Sequence, residues 1–215
     1  LDIFFKIFGV LLFCLFPCFI GFLFFQNPFK SVPGANDNLT GCYVAMSTLK
    51  TLAEANIRFE NTEVVVLLSG SEEAGLRGAK AYAKKHHDEC LETETIFIGY
   101  DTMRDYDDMA IYSRDMTGTV KNDIRVCNLM KKAGEYAGLD LPFKSVFFGS
   151  SDAAAISQAG IPGATFAAMD PTPARYYHTR LDTADNLDPK MIEAGLNLAL
   201  ETTYLFDKEG LKESY

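Results

Sequence analysis

The chain has 215 residues, of which 48% are hydrophobic, so it can build one substantial globular core. A second large domain is therefore not expected. The 29 acidic residues outnumber the 20 basic ones, which gives a net charge of −9 and a pI of about 4.8. Because no basic stripe interleaves with aromatic residues, nucleic-acid binding is disfavoured. The five cysteines are odd in number and scattered, which argues against a disulfide framework or a zinc knuckle.

The first predicted element is an apolar segment at residues 3–25, which is long enough to cross a bilayer. We expect residues 1–29 to form a transmembrane or anchor segment, so that the protein is membrane-associated. A signal peptide is the competing interpretation, but the segment is long for one and no small-x-small cleavage site follows it. A buried helix is a third alternative. The phenylalanines lie all round the helix rather than on one stripe, which argues against this alternative and favours contact with lipid. Lys6 and Lys30 charge both flanks nearly equally, so orientation cannot be assigned.

Residues 30–215 alternate helix and strand signals, as expected for one layered α/β domain. No internal repeat or low-complexity linker interrupts the pattern. Helical spacing or buried apolar runs predict the following elements in chain order: a helix at 37–55, a strand at 63–68, a helix at 74–85, a strand at 95–100, a helix at 120–137, a strand at 144–148, a helix at 152–158, a strand at 163–167 and a helix at 189–206.

Two adjacent carboxylates, Glu72 and Glu73, follow the strand predicted at residues 63–68. Such a pair often only marks a solvated helix start, where it complements the helix dipole. Here an apolar strand carries the pair to the carboxyl edge of a sheet, which is where open α/β folds build their sites. The pair is therefore a candidate site.

Three further groups fall at the ends of predicted elements: Asp37, Asp101 and His178. Each has an ordinary alternative, since Asp37 can be a helix N-cap, Asp101 can begin a turn, and a lone histidine is more often structural. Together with the glutamate pair, however, they form a plausible set of oxygen and imidazole ligands for zinc or a similar divalent ion.

Five segments in the same order resemble the motifs of the M28 family of zinc aminopeptidases, and they span about residues 33–187. They are Gly34-Ala-Asn-Asp-Asn-Leu-Thr-Gly41, Ser69-Gly-Ser-Glu-Glu-Ala-Gly-Leu-Arg-Gly-Ala79, Gly99-Tyr-Asp-Thr-Met103, Ser151-Asp-Ala-Ala-Ala-Ile-Ser-Gln-Ala-Gly-Ile-Pro162 and Tyr177-His-Thr-Arg-Leu-Asp-Thr-Ala-Asp-Asn-Leu187. The resemblance implies a three-layer α/β sandwich with a mixed central sheet, preceded here by a hydrophobic helix. It also implies removal of N-terminal residues from peptides that have a free N-terminus.

The resemblance assigns roles residue by residue. Asp37 would bridge two zinc ions, Glu73 and Asp101 would each ligate one ion, and His178 would complete one site. Glu72 would be the general base, since a carboxylate near the metals can take the proton of the attacking water. Tyr177 could donate a hydrogen bond to the oxyanion, although a rim aromatic is an equally good interpretation. Asp152 belongs to a motif that usually lines the site, but an N-cap explains it almost as well.

This chain departs from the family pattern at the remaining metal ligand, which the family carries in a His-x-Asp motif ahead of the segment that contains Asp37. No histidine precedes Phe29, and His86 and His87 lie in a predicted surface helix. We therefore expect a fragment with four of the five ligands, weakly active or inactive on its own, from a competent parent peptidase.

Two other functions remain open. A non-catalytic homologue would use the fold as a receptor or interaction domain, although the retained acidic residues and histidine argue against it. A single-zinc enzyme of the glutaminyl-cyclase type would use Asp37, Glu73 and His178 around one ion, with Glu72 as a proton shuttle. Substrate preference, metal identity and oligomeric state do not follow from the sequence.

Overall fold

A computed structural model of the protein describes residues 1–25, 31–170, 172 and 175–215. The chain divides into two compact units, residues 1–32 and residues 33–215. The first unit contains helix α1 (Asp2–Phe25), which includes Pro17. Within it, Asp2–Gly21 has a mean hydropathy of 2.5 and is long and apolar enough to cross a membrane. Length and composition alone also fit a signal sequence.

The second unit contains a five-stranded mixed sheet, which confirms the predicted fold class. Its strands are β1 (Phe97–Met103), β2 (Met109–Asp115), β3 (Val120–Lys121), β4 (Phe143–Ser145) and β5 (Gly163–Ala168). The order is β1-β5-β2-β3, and β4 also pairs with β2. β1 runs parallel to β5, while β2 runs antiparallel to β5 and parallel to β4.

Helices cover both faces of this sheet. They are α2 (Thr40–Glu54), α3 (Arg77–Glu92), α4 (Ile124–Tyr136), α5 (Asp152–Gln158) and α6 (Pro189–Glu209). The larger apolar core joins α2, α4 and α6 to the sheet through side chains such as Val44, Leu129, Phe166 and Leu198. The smaller core joins α3 to α5 through Leu76, Ala79 and Ile156. The result is a three-layer sandwich.

Several element predictions were wrong in detail. Residues 63–68 form no ladder with any described strand. The helix predicted from residue 74 begins only at Arg77, because residues 71–76 turn and Leu76 has a left-handed φ of 58°. The helix predicted from residue 120 begins at Ile124, after the short strand β3 and the N-cap Asp123, whose side chain accepts from the Arg125 amide.

The strand β2 was not predicted, although it lies inside the sheet. Its sequence, Met-Ala-Ile-Tyr-Ser-Arg-Asp, lacks a long β-branched run and carries a charged pair at its end. Pairing with β5 on one edge and β4 on the other stabilises it. Tertiary pairing therefore determines this strand more than local propensity does.

Candidate metal and catalytic site

Asp37 lies in a short irregular turn that precedes α2. This turn spans Ala35–Leu39, its backbone is non-helical at Asp37 and Asn38, and the Asp37–Asn38 peptide bond is cis. The buried carboxylate of Asp182 accepts hydrogen bonds from the backbone N–H groups of Asn36 and Asp37, at 2.8 and 3.0 Å, and from the Asn36 side chain at 2.9 Å. Asp182 therefore fixes the backbone on which the Asp37 carboxylate is carried.

Asn38 joins the same turn to β1. Its side-chain oxygen accepts from the Gly41 and Thr102 amides, and its side-chain N–H donates to the Tyr100 carbonyl at 2.7 Å. The backbones approach so closely that a Cβ on Gly41 would lie 2.2 Å from the Tyr100 oxygen. Because Asp101 follows Tyr100, this junction brings Asp101 and Asp37 into one region.

Glu72 and Glu73 lie on a turn between residues 63–69 and α3. The Glu72 carbonyl accepts from the amides of Gly75 and Leu76, which closes the turn ahead of the helix. The Ser69 hydroxyl donates to the Asp152 carboxylate at the start of α5. Glu72 is half-buried whereas the Glu73 side chain is 65% exposed, so the two neighbours point into different surroundings.

His178 lies on a loop that is anchored at the end of β1. The Tyr176 hydroxyl donates to Asp105 at 2.8 Å, and the Arg104 guanidinium donates to the Asn186 side chain at 2.8 Å. His178 itself has a left-handed φ of 56°. The loop thus returns to the edge of the sheet where Asp37 lies.

The structure brings Asp37, Glu73 and His178 together. The Nε2 atom of His178 lies 3.2 Å from a carboxylate oxygen of Asp37 and 3.1 Å from one of Glu73. One potential ligand atom from each of the three lies within 4.8 Å of the others, in the only such group among the residues described. Two hard carboxylates and one imidazole are a donor set that zinc accepts. The residues therefore fit a divalent cation.

Asp101 lies outside this tight trio, but it lines a cavity of the domain. The wall of this cavity also includes Asp37, Glu72, Glu73 and Asp152. Its own carboxylate accepts from the Thr102 hydroxyl at 3.1 Å. The strand continues two residues beyond Asp101, which was predicted to end it, and an irregularity in the β1–β5 register falls between Asp101 and Met103.

Burial, and after it the charge of neighbouring acids, raises the pKa values of three carboxyl groups in this cavity. Burial, followed by the charges of Glu73 and Asp182, raises the pKa of Asp37 to about 6. Burial and the charge of Asp37 raise that of Asp101 to about 7. Burial, with Asp101 and Asp152 the largest charged contributors, raises the pKa of Glu72 to about 8. Joint ionisation of such neighbouring carboxyl groups is unfavourable, and a cation bound among them stabilises their charged form.

Tyr177 lies beside this cluster. Its ring stacks on that of His178, with centroids 3.9 Å apart. Burial and the neighbouring carboxylates, Asp37 first, raise the pKa of its hydroxyl, which therefore stays protonated near neutrality. His86 and His87 instead bond to Glu89 and Asp88 on α3.

Sequence reasoning missed the positioning residues Asp182 and Asn38. Both lie inside the segments that carried the family resemblance, so their presence was visible but their contacts were not. Asp182 is 146 positions away from Asn36 in sequence. A short-range pattern cannot show that such distant residues meet.

Comparison with known proteins places these features in a family. The sequence model of peptidase family M28 matches residues 23–203. Among solved structures, an aminopeptidase from Aneurinibacillus sp. strain AM-1 is 27% identical, with a TM-score of 0.67 over 80% of this chain and 40% of that one. BSAP, a zinc aminopeptidase from Bacillus subtilis, is 24% identical, with a TM-score of 0.67 over 83% of this chain and 43% of that one.

A glutaminyl cyclase from an Acidobacteriales bacterium shares the fold, with 20% identity and a TM-score of 0.61 over 82% of this chain and 63% of that one. No curated protein sequence matches. The chain spans about half the length or less of the aminopeptidase structures it resembles.

Proposed function

The chain belongs to peptidase family M28, and from this premise we propose that it carries the metal-binding and catalytic residues of an aminopeptidase. The observation that supports this most is the convergence of Asp37, Glu73 and His178, with a half-buried Glu72 beside them. These residues come from three separate parts of the chain, and Asp182 and Asp105 hold two of those parts in place.

The metal ligands in this proposal are Asp37, Glu73, Asp101 and His178. Asp37 would bridge two ions, because ligand atoms of Glu73 and His178 lie within 4.8 Å of one of its own and its charge raises the pKa of the nearby Asp101. Zinc bound there would polarise the scissile carbonyl and lower the pKa of the attacking water. These four residues are four of the five ligands that the family resemblance implies.

Glu72 is the proposed general base. It would take a proton from the attacking water and give it to the amine that leaves when the C–N bond breaks. Glu72 is half-buried and lines the same cavity as Asp37, Glu73 and Asp101. Tyr177 would donate its hydroxyl proton in a hydrogen bond to the oxyanion of the tetrahedral intermediate.

The substrate in this proposal is a peptide with a free N-terminus. The cavity beside the ligands is acidic, and an α-ammonium group is cationic at neutral pH. The acids that do not ligate metal can therefore attract the amine.

Glu72→Gln tests the proposed base. This change keeps size and removes the proton acceptor, so turnover of a leucine chromogenic amide by the zinc-loaded protein should fall by about 10²–10⁴-fold. Zinc affinity, measured by calorimetry, should change little. Glu60→Gln, at an exposed position outside the cavity lining, is the matched control. Unchanged turnover in Glu72→Gln would remove Glu72 from the mechanism.

A single-zinc cyclase is the second candidate, because the trio within 4.8 Å contains one Asp, one Glu and one His while Asp101 lies outside it. Incubation with a peptide that begins with glutamine separates the two functions. Release of a free amino acid supports the aminopeptidase. A cyclised N-terminus on an intact peptide, with one zinc bound, would support the cyclase.

We also propose that α1 attaches the protein to a membrane, on the strength of its length and apolar composition. Extraction of the full chain from membranes by detergent but not by carbonate supports attachment. Recovery of a soluble chain cleaved after α1 would support a signal sequence instead.

A further inference from the structure

A second cavity, of about 510 Å³, opens between helices α3 and α5. The buried side chains of Ala83 and Ala155 line it where the two helices pack, and exposed lysines line it toward solvent. Among the described residues, it shares no lining residue with the acidic cavity that contains Asp37. Its volume is within the range of about 300–1,000 Å³ that is usual for small-molecule sites.

Three lysines concentrate positive charge around this cavity, although the chain as a whole has a net charge of −9. Lys80, Lys84 and Lys85 all line it, and Asp88 is the one carboxylate among its described lining residues. The three lysines take part in none of the ion pairs between described residues. Lys80 and Lys84 are four positions apart on one helix, where like charges repel each other. An anion bound between them would relieve this repulsion.

The ammonium group of Lys80 is already held in place. It donates a hydrogen bond to the Gly75 carbonyl at 2.9 Å, in the turn ahead of α3. An ammonium group has three N–H donors, so two remain for a ligand. A side chain that is ordered before binding loses less conformational freedom when the ligand arrives.

His87 adds a positive charge of fixed orientation to the wall of the cavity. Its Nδ1 atom lies 3.0 Å from a carboxylate oxygen of Asp88, and its Nε2 atom lies 3.1 Å from the Ala159 carbonyl oxygen. Both partners are acceptors, so both ring nitrogens carry protons. The hydrogen bond to Asp88 also raises the pKa of His87. The charge of Asp88 is thereby directed at His87 rather than at the lysines.

We propose that this lysine pocket, lined by Lys80, Lys84, Lys85 and His87, binds a small soluble oligophosphate. Each lysine is a compact point charge whose donors spread in three directions, which suits the many oxygens of linked phosphoryl groups. The described lining contains no arginine, whose planar fork would match a flat carboxylate. Residues four apart on a helix have Cβ atoms about 5–6 Å apart, so adjacent phosphoryl groups can each meet one ammonium group. The proposal does not rest on peptidase activity, because the two cavities have separate linings.

Calorimetric titration of inorganic triphosphate into the metal-free full chain in detergent tests this site, since no zinc is then present to hold the anion. We expect one equivalent to bind. Lys80→Gln/Lys84→Gln should weaken binding by about tenfold or more, because two hydrogen bonds between charged groups are lost. The matched control is Lys50→Gln/Lys121→Gln, which removes the same charge at two exposed positions outside the pocket. Its affinity should stay within about twofold of the wild type, because its pocket is intact.

Amide NMR shifts locate the bound anion, and we expect triphosphate to move the signals of Ala83 and Ala155. Shifts confined to other parts of the chain, or no binding at millimolar triphosphate, would overturn the proposal. Equal weakening in both double variants would also overturn it, because the attraction would then come from general charge. Tricarballylate, a tricarboxylate, should bind more weakly, and equally tight binding of this anion would contradict the assignment to phosphate.

Discussion

Asp182 is the residue on which the position of Asp37 depends most. It is buried, and its carboxylate holds three N–H groups of Asn36 and Asp37. Asp182→Ala would leave these donors unpaired and release the turn that carries a proposed ligand. Loss of such a supporting contact typically costs 10–100-fold in metal affinity, and we expect a loss of about that size for zinc.

Calorimetric zinc titration measures this effect, with Asp185→Ala as the control because Asp185 is exposed on the same loop. An Asp182→Ala protein that stays folded and binds zinc as tightly as the wild type would contradict the role given to Asp182.

The acidic cluster predicts an inverse dependence of stability on pH in the metal-free chain. Folding raises the pKa of Asp37 from 3.8 to about 6, that of Asp101 from 3.8 to about 7, and that of Glu72 from 4.5 to about 8. At a pH between its ordinary and its raised pKa, each group binds more protons in the folded state than in the unfolded state. The three groups therefore contribute to the free energy of unfolding at low pH, and this contribution is lost as pH rises from about 4 to about 8.

Urea midpoints measured across this range should therefore fall less in Asp101→Asn, which cannot ionise at that position, than in the wild type. Saturating zinc should also reduce the decline, because it stabilises the ionised carboxylates. If the urea midpoint of the wild type rose with pH relative to that of Asp101→Asn, the result would contradict the pKa shifts.

At the scale of single residues, the sequence indicated which groups meet but not how they are held. Asp37, Glu73 and His178 could be identified because they lie at the ends of predicted elements and inside the ordered motifs. Asp101 could be nominated in the same way, yet it lies outside the tight trio. The contacts of Asp182 and Asn38 span 145 and 62 positions, and such distances leave no periodic signal in the sequence.

The junction between α2 and β1 determines how the elements of the site fit together. Gly41 lies where a Cβ would be 2.2 Å from the Tyr100 oxygen and 2.4 Å from the Asn38 side chain. Gly41→Ala must push the helix away from the strand, at an expected cost of about 1–3 kcal/mol. At about 2–4 °C per kcal/mol, the Tm should fall by roughly 2–12 °C.

Gly70→Ala is the matched control, because a Cβ there meets nothing within 4 Å. Calorimetric scans of both variants decide the matter. Equal Tm values for the two variants would show that the α2–β1 contact tolerates the extra methyl group.

At the scale of elements, strongly periodic segments were predicted well. Helices α5 and α6 begin at the predicted residues, and β5 begins at the predicted glycine. Residues 63–68 have the composition of a strand but no partner in the described sheet, whereas β2 has a weak pattern and two partners. Strand formation depends on pairing, so composition alone assigned these two segments wrongly.

For the whole molecule, one α/β domain and an apolar N-terminal helix followed from composition and the order of elements. The family assignment followed from five ordered segments, and the match over residues 23–203 confirms it. The central claim goes further, because it makes the cluster at the carboxyl edge of the sheet a metal centre.

Anomalous diffraction at the zinc edge, from crystals of the zinc-loaded protein, tests that claim most directly. We predict a peak at about 2.0–2.2 Å from a carboxylate oxygen of Asp37, with Glu73 and His178 in its coordination sphere. Zinc bound instead at His86 and His87, with no peak near Asp37, would contradict the account.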